Sequence, residues 1–123
     1  MESSQVSILT RLMAVIEDRK ATRPARSYTR TLFDGGVDAI GAKVCEEAAE
    51  VVEAARIADE DGGRAVVCET ADLVYHVLVM LAHCGVTLAD IEAELARRFG
   101  TSGLDERHSA AKCDVRAVRG SRS

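Results

Sequence analysis

Hydrophobic and polar positions alternate along most of the chain with the period of amphipathic helices. Leu9, Leu12, Met13 and Ile16, for example, follow the i, i+3, i+4, i+7 spacing of one helix face. Runs of glycine and acidic residues separate such segments, as is typical of turns and loops. The chain is therefore predicted to be an all-α bundle of four to five helices. The predicted helices span about residues 5–20, 37–58, 64–83 and 88–99, with a short fifth over 104–111.

The third predicted helix, residues 64–83, is apolar almost all round. This pattern is typical of a central helix or of one shared with a second subunit. We therefore expect a homodimer that forms through this helix. Residues 1–114 are expected to form one domain, and residues 115–123 a flexible basic C-terminal tail. The loops are predicted over residues 23–36, which end in an Asp-Gly-Gly turn, and over the acidic residues 59–63.

Composition narrows the classes of function. A chain of 123 residues is one domain in size, and 47% hydrophobic with 29% charged residues excludes a disordered protein. The net charge of −4 includes an acidic centre that would repel nucleic acid. No apolar stretch predicts a membrane span. The four cysteines form no CxxC pair, which favours reduced thiols in the cytoplasm, with Cys45 and Cys68 as small core residues.

Carboxylates on two consecutive predicted helices indicate a metal site. Glu47 and Glu50 share a face beside the apolar stripe of the second helix, and Glu69 and Asp72 share a face of the third. Because a short loop joins these helices, they are expected to pack antiparallel, so the four carboxylates converge. Such acids repel one another unless cations neutralise them, and oxygen ligands favour Mg²⁺, with Mn²⁺ as the alternative. His76, on the same face, is expected to bond to Asp72 or to lie in an interface.

Three motifs in this order carry a resemblance to a known family. They are SYT at residues 27–29, KVxEEAxE at 43–50 and ExADLxYH at 69–76. Together they resemble phosphoribosyl-ATP pyrophosphohydrolases over residues 6–112. The resemblance implies an enzyme that converts 1-(5-phosphoribosyl)-ATP to 1-(5-phosphoribosyl)-AMP and pyrophosphate in the second step of histidine biosynthesis. Two alternatives remain: a house-cleaning nucleoside triphosphate pyrophosphatase and a non-catalytic helical dimerisation module.

The resemblance also implies roles for individual residues. The metal ligands would be Glu47, Glu50, Glu69 and Asp72, and either Glu46 or Glu50 would take the proton of the attacking water. Lys43 either contacts a phosphate or pairs with Glu47. Arg26 and Arg30 either bind phosphates or belong to an ordinary exposed loop, and Tyr28 is expected to stack on adenine. The implied substrate-binding set is Arg26, Tyr28, Thr29, Arg30 and Lys43.

Overall fold

The structure of the chain, a computed structural model, describes residues 6–100. Within them the helices are α1 (Ile8–Thr22), α2 (Tyr28–Arg56), α3 (Ala58–Asp61), α4 (Arg64–His83) and α5 (Leu88–Phe99), and this part of the chain contains no strand. The all-α prediction is therefore confirmed. The predicted third and fourth helices coincide with α4 and α5. The predicted helix over 104–111, the domain boundary at 114 and the basic tail lie outside the described residues.

α1 is attached to the end of α4. The helix begins after Ser7, whose hydroxyl caps it, and it buries Met13 and Ile16 from the predicted apolar stripe. Near its C-terminus, Lys20 donates a hydrogen bond through Nζ to the carbonyl oxygen of Ala82 at 2.7 Å. This contact places a cation at the C-terminal end of α4, where the helix dipole favours positive charge.

The predicted loop before the second helix is largely helical. Ser27 caps α2 by accepting a hydrogen bond from the Arg30 amide at 3.2 Å, and the following turns bury Thr29, Leu32 and Phe33. This i, i+3, i+4 spacing is that of a helix face. The loop prediction for this segment is wrong, because burial of this helix face outweighs the nearby proline and glycines.

α2 changes direction at Gly36, which joins a first arm, residues 28–35, to a second arm, residues 37–56. Gly36 has φ 73° and ψ −161°, a region of backbone space that is open to little except glycine. Gly35 is needed for a different reason, since a β-carbon there would collide with the β-carbon of Ala39. The predicted turn at this point is therefore confirmed, although it lies between two helical segments and not at the end of a loop.

The two arms run in opposite directions beside α4. In the first arm, Tyr28 contacts His76 and Phe33 stacks on His83 with ring centroids 6.2 Å apart, so residue numbers rise together. The second arm returns antiparallel, as expected for helices joined by a short connection. The core between α1, α2 and α4 consists of Met13, Ile16, Leu32, Phe33, Ile40, Leu78, Val79 and Ala82.

The acidic connection before α4 contains the one-turn helix α3. The loop prediction is wrong for residues 59–61, which are helical, although α3 buries none of its residues. The Asp61 carboxylate accepts hydrogen bonds from the amides of Gly63 and Ala65, both at 3.0 Å. These bonds satisfy two amide donors at the start of α4. They fix the point from which α4 runs back along the second arm.

α4 is more apolar than its burial requires. Among the described residues it is the one helix long and apolar enough to cross a membrane, judged by length and composition alone, and core helices of soluble proteins meet the same test. Only 22% of its apolar window is buried. The prediction that Cys45 and Cys68 are core residues is wrong, because both thiols are exposed on the surfaces of α2 and α4.

The chain divides after Leu88 into two compact units. α5 forms the described part of the second unit and buries none of its residues. Within α5, Arg97 and Arg98 donate to the Glu94 carboxylate at 2.7 and 2.8 Å and hold its pKa at about 2. Such exposed pairs on one helix contribute little to stability.

Candidate active site

Carboxylates from two helices meet where the second arm of α2 runs beside α4. Glu47 and Glu50 lie on adjacent turns of α2, and Glu69 lies near the start of α4. One oxygen atom from each of these three residues lies within 4.8 Å of the others. Of the four carboxylates expected to converge, the structure brings these three together. We call them the glutamate cluster.

Glu47 is buried although it carries a charged group. Its residue is 6% exposed, and its Oε1 has no hydrogen-bond partner within residues 6–100. A buried carboxylate oxygen without a partner is strongly unfavourable, and a cation at that point would compensate it. The donor set, three carboxylates with one orphaned oxygen, therefore fits a divalent metal ion.

Glu69 keeps its proton up to near-neutral pH. A hydrogen bond between them, partial burial, and the charges of Glu50, Glu47 and Asp72 raise the pKa of Glu69 to about 7. The hydrogen bond to Glu50 contributes most, and repulsion among the neighbouring carboxylates also favours the neutral acid. Protons and metal ions therefore compete for the oxygens of the glutamate cluster.

Asp72 borders the glutamate cluster without joining it. It lies one turn after Glu69 on α4 and is exposed, and its oxygens are outside the group of three that lie within 4.8 Å. Its charge nevertheless contributes to the raised pKa of Glu69. Asp72 thus acts on the cluster electrostatically.

Lys43 pairs with Glu46 rather than with Glu47. Its Nζ donates to Glu46 Oε1 at 3.3 Å, and this bond raises the pKa of Lys43. The expected pair with Glu47 is therefore wrong, since the i, i+3 partner is the one in reach. Glu46 is exposed and lies outside the glutamate cluster.

An aromatic cluster of Tyr28, Tyr75 and His76 stands beside these acids. The rings of Tyr28 and Tyr75 are nearly parallel, with centroids 6.3 Å apart, and His76 meets both at its edge. The Tyr75 hydroxyl is hydrogen-bonded to the buried Thr29. Sequence reasoning gave no role to Tyr75, although its place directly before His76 in the third motif was the available signal.

His76 bonds to Asp72 through the backbone and not through the carboxylate. Its Nδ1 lies 2.9 Å from the Asp72 carbonyl oxygen, and its Nε2 lies 2.9 Å from the Tyr28 hydroxyl. Partial burial raises the pKa of the Tyr28 hydroxyl, and so do the charges of Glu46 and Glu47, against the opposing effect of Lys43. Tyr28 is therefore close enough to Glu46 and Glu47 for their charges to affect its hydroxyl.

The predicted basic residues before and in the first arm differ in how they are held. Arg30 donates to Asp34 at 3.3 Å, and Arg23 donates to the same carboxylate at 2.8 Å. Arg26 is exposed, and no hydrogen bond or ion pair within residues 6–100 engages it. Of the two predicted arginines, Arg26 is thus the one available to a ligand.

An open groove runs from the glutamate cluster towards the α3 end of the helix pair. Its volume is about 320 Å³. Glu50 and Glu69 form the end nearest the cluster, so solvent reaches these carboxylates through the groove. Residue spacing does not predict its apolar floor, which depends on how α2 and α4 pack. The lining residues are Glu50, Glu53, Ala54, Ile57, Ala65 and Glu69.

Comparisons with known proteins agree on one family. The sequence model of the phosphoribosyl-ATP pyrophosphohydrolase family matches residues 9–99. A phosphoribosyl-ATP pyrophosphatase from Rhodopirellula baltica is 50% identical over 101 residues, which cover 82% of this chain and 84% of that relative. Proteins of the same name from Paramagnetospirillum magneticum and Geobacter sulfurreducens are each 50% identical, over 85% and 83% of this chain and 94% and 92% of their own lengths.

Proposed function

The chain belongs to the phosphoribosyl-ATP pyrophosphohydrolase family, and from this premise we propose that it hydrolyses 1-(5-phosphoribosyl)-ATP to 1-(5-phosphoribosyl)-AMP and pyrophosphate in the second step of histidine biosynthesis. The observation that carries the proposal is the convergence of Glu47, Glu50 and Glu69 from two helices. Family membership points to the substrate, and these carboxylates point to the chemistry.

The proposed cofactor is Mg²⁺, with Mn²⁺ as the alternative, because carboxylate oxygens favour hard divalent ions. Glu47, Glu50 and Glu69 would hold the ion, with Asp72 as a fourth ligand beside them. The orphaned oxygen of Glu47 supports this assignment. When bound, such an ion neutralises charge on the triphosphate and makes water a better nucleophile at neutral pH.

The carboxylates also accept the proton that the reaction releases. The oxygen of water bonds to phosphorus as the bond to the oxygen bridging the α and β phosphates breaks, and pyrophosphate leaves with the electron pair. We assign the proton to Glu46 or Glu50. Glu46 is exposed beside Lys43, and Glu50 is already hydrogen-bonded within the glutamate cluster. Because pyrophosphate leaves as an anion, no strong general acid is required.

The proposed substrate-binding residues differ in exposure and in the side chains that they already contact. Tyr28 and Arg26 are exposed, so we assign them direct contacts with the substrate. Lys43 is paired with Glu46 and Arg30 with Asp34, and each has further N–H donors with which to contact a phosphate. Thr29 is buried against Tyr75, so it supports the wall of the site from within.

Release of pyrophosphate from phosphoribosyl-ATP tests the function. The wild-type chain should release it in the presence of Mg²⁺, whereas Glu47→Gln and Asp72→Asn should abolish release and keep the helical circular dichroism spectrum. Glu17→Gln is the matched control, because Glu17 is exposed on α1 and does not line the groove. Full activity in Glu47→Gln would remove the metal site from the mechanism.

The same assay separates the substrates. Phosphoribosyl-ATP should be strongly preferred over dUTP and dCTP at equal concentrations. The reverse preference would establish a house-cleaning pyrophosphatase. No release from any nucleotide, by a chain with normal helix content, would support a non-catalytic module.

We propose that the chain forms a homodimer through α4. Only 22% of the apolar window of α4 is buried, and Val67 is 68% exposed. Exposed apolar surface of this kind favours association. Light scattering should give the mass of a dimer for the wild type and of a monomer for Val67→Asp, whereas Val15→Asp on α1 should stay dimeric. A monomeric wild type at tens of micromolar would contradict the proposal.

The family consists of enzymes that act on a small soluble nucleotide, so we treat the chain as a soluble protein and α4 as one of its packed helices. We propose that it resides in the cytoplasm. Cys45, Cys68 and Cys84 are free thiols, which is usual for cytoplasmic proteins.

A further inference from the structure

His76 is held between the backbone of its own helix and the first arm of α2. Its Nδ1 lies 2.9 Å from the Asp72 carbonyl oxygen, and its Nε2 lies 2.9 Å from the Tyr28 hydroxyl. A carbonyl oxygen only accepts hydrogen bonds, so Nδ1 carries the hydrogen. In the neutral imidazole, Nε2 then has no hydrogen and only accepts.

This assignment fixes the direction of the Tyr28 hydroxyl. The hydroxyl donates its single hydrogen to Nε2 of His76, and its lone pairs remain as acceptors. His76 is 5% exposed and packs on Tyr75 with ring centroids 5.1 Å apart, so the imidazole has little freedom to turn. The ring of Tyr28 itself is half exposed and open to a ligand.

The surroundings of the Tyr28 hydroxyl determine which groups it can bind. Glu46 and Glu47 border it with negative charge, and the ammonium group of Lys43 is bonded to Glu46. Phosphate oxygens offer negative charge and acceptors, so they are poor partners for an oxygen that only accepts. An O–H or N–H group suits it well.

We propose that His76 is a positioning residue that presents the Tyr28 hydroxyl as an acceptor to a hydrogen-bond donor on the nucleoside part of the substrate, an O–H of ribose or an N–H of the base. Tyr28 then determines specificity for the part of the substrate that pyrophosphate lacks. The inference rests on the proposed function, since phosphoribosyl-ATP supplies that nucleoside part.

Inhibition by the two products tests the inference. The inhibition constants of phosphoribosyl-AMP and of pyrophosphate against phosphoribosyl-ATP hydrolysis are compared in the wild type and in Tyr28→Phe, which keeps the ring. Loss of one neutral hydrogen bond should raise the constant for phosphoribosyl-AMP about three- to tenfold. The constant for pyrophosphate should not change. Phosphoribosyl-2′-deoxy-AMP narrows the choice of donor, because an unchanged constant for it in Tyr28→Phe assigns the 2′-hydroxyl, and an equal rise assigns the 3′-hydroxyl, the base or the other sugar.

Two further variants separate positioning from stability. In the wild-type background, His76→Gln should raise the inhibition constant of phosphoribosyl-AMP. In the Tyr28→Phe background it should cause no further rise, because His76 acts through Tyr28. Thr31→Val removes an exposed hydroxyl from the same arm as Tyr28, and it should leave both inhibition constants unchanged.

Three results would overturn the inference. In the first, Tyr28→Phe raises the inhibition constant of pyrophosphate as much as that of phosphoribosyl-AMP, which would mean that the hydroxyl contacts the phosphates. In the second, neither constant changes. In the third, the effects of His76→Gln and Tyr28→Phe on the inhibition constant of phosphoribosyl-AMP are fully additive in free energy. A wild-type chain that does not hydrolyse phosphoribosyl-ATP would instead refute the proposed function, so the two failures are distinct.

Discussion

The proton that Glu69 holds near neutral pH should make metal binding depend on pH. A hydrogen bond to Glu50 and the charges around it raise the pKa of Glu69 to about 7. An ion can use both oxygens of this pair only after the proton leaves. Lowering the pH from 8 to 6 therefore populates the protonated form and should weaken the binding of Mg²⁺ or Mn²⁺.

The size of the effect follows from the pKa. For one competing proton, the apparent dissociation constant scales with one plus the ratio of protonated to deprotonated acid. With a pKa of about 7, the affinity at pH 6 should be about tenfold weaker than at pH 8. At pH 7, binding should release about half a proton per chain.

Isothermal titration calorimetry measures both quantities. Mg²⁺ or Mn²⁺ is titrated into the full chain at pH 6, 7 and 8, in two buffers with different ionisation enthalpies, so that proton release is counted directly. Glu69→Gln should bind more weakly but with little dependence on pH. Glu17→Gln, at an exposed position on α1, should keep the pH dependence of the wild type. Equal affinity at pH 6 and pH 8 with no proton release would refute the reasoning.

Three further predictions concern stability, measured by urea or thermal unfolding. Gly36→Ala should cost about 1–3 kcal/mol because its φ of 73° and ψ of −161° suit little except glycine, and Gly62→Ala, at φ 67° and ψ 21°, should cost about 1–2 kcal/mol; a cost well below about 1 kcal/mol for Gly36→Ala would contradict the assignment. Ile40→Ala, at a fully buried position, should cost about 2–5 kcal/mol, and the exposed Val37→Ala about 0.5 kcal/mol or less. In the metal-free protein, the raised pKa of Glu69 contributes stability that is fully present below its ordinary value of 4.5 and is lost as the pH rises through about 7. The melting temperature of Glu69→Gln relative to the wild type should therefore increase from pH 5 to pH 8, and a constant difference would contradict the assignment.

The sequence was sufficient to predict α4 because local signals agreed there. The helix is apolar on nearly all sides, two glycines precede it, and Gly85 with φ 74° follows it. The first arm of α2 was missed because local and tertiary signals disagreed. Its helical form depends on burying Leu32 and Phe33 against α1 and α4, which proline and glycine in the sequence do not reveal.

The site was predictable to the extent that helical periodicity determines it. That periodicity places Glu47, Glu50 and Glu69 on facing surfaces, and the structure brings their oxygens together. The choice of Glu46 as the partner of Lys43 depends on side-chain rotamers, and so does the outward position of Asp72. Rotamers are set by neighbours in three dimensions, so residue spacing alone does not give them.

Because the chain reverses at Gly36, the length of the first arm determines where Tyr28 lies relative to the glutamate cluster. One residue inserted into or deleted from the first arm would rotate Tyr28 by about 100° about the helix axis, away from His76, while the glutamates of the second arm stay where they are. The separation between the aromatic and acidic halves can then be reset only in whole turns of about 5.4 Å. A family member that accommodates a longer or shorter nucleotide would have to change by three or four residues at once.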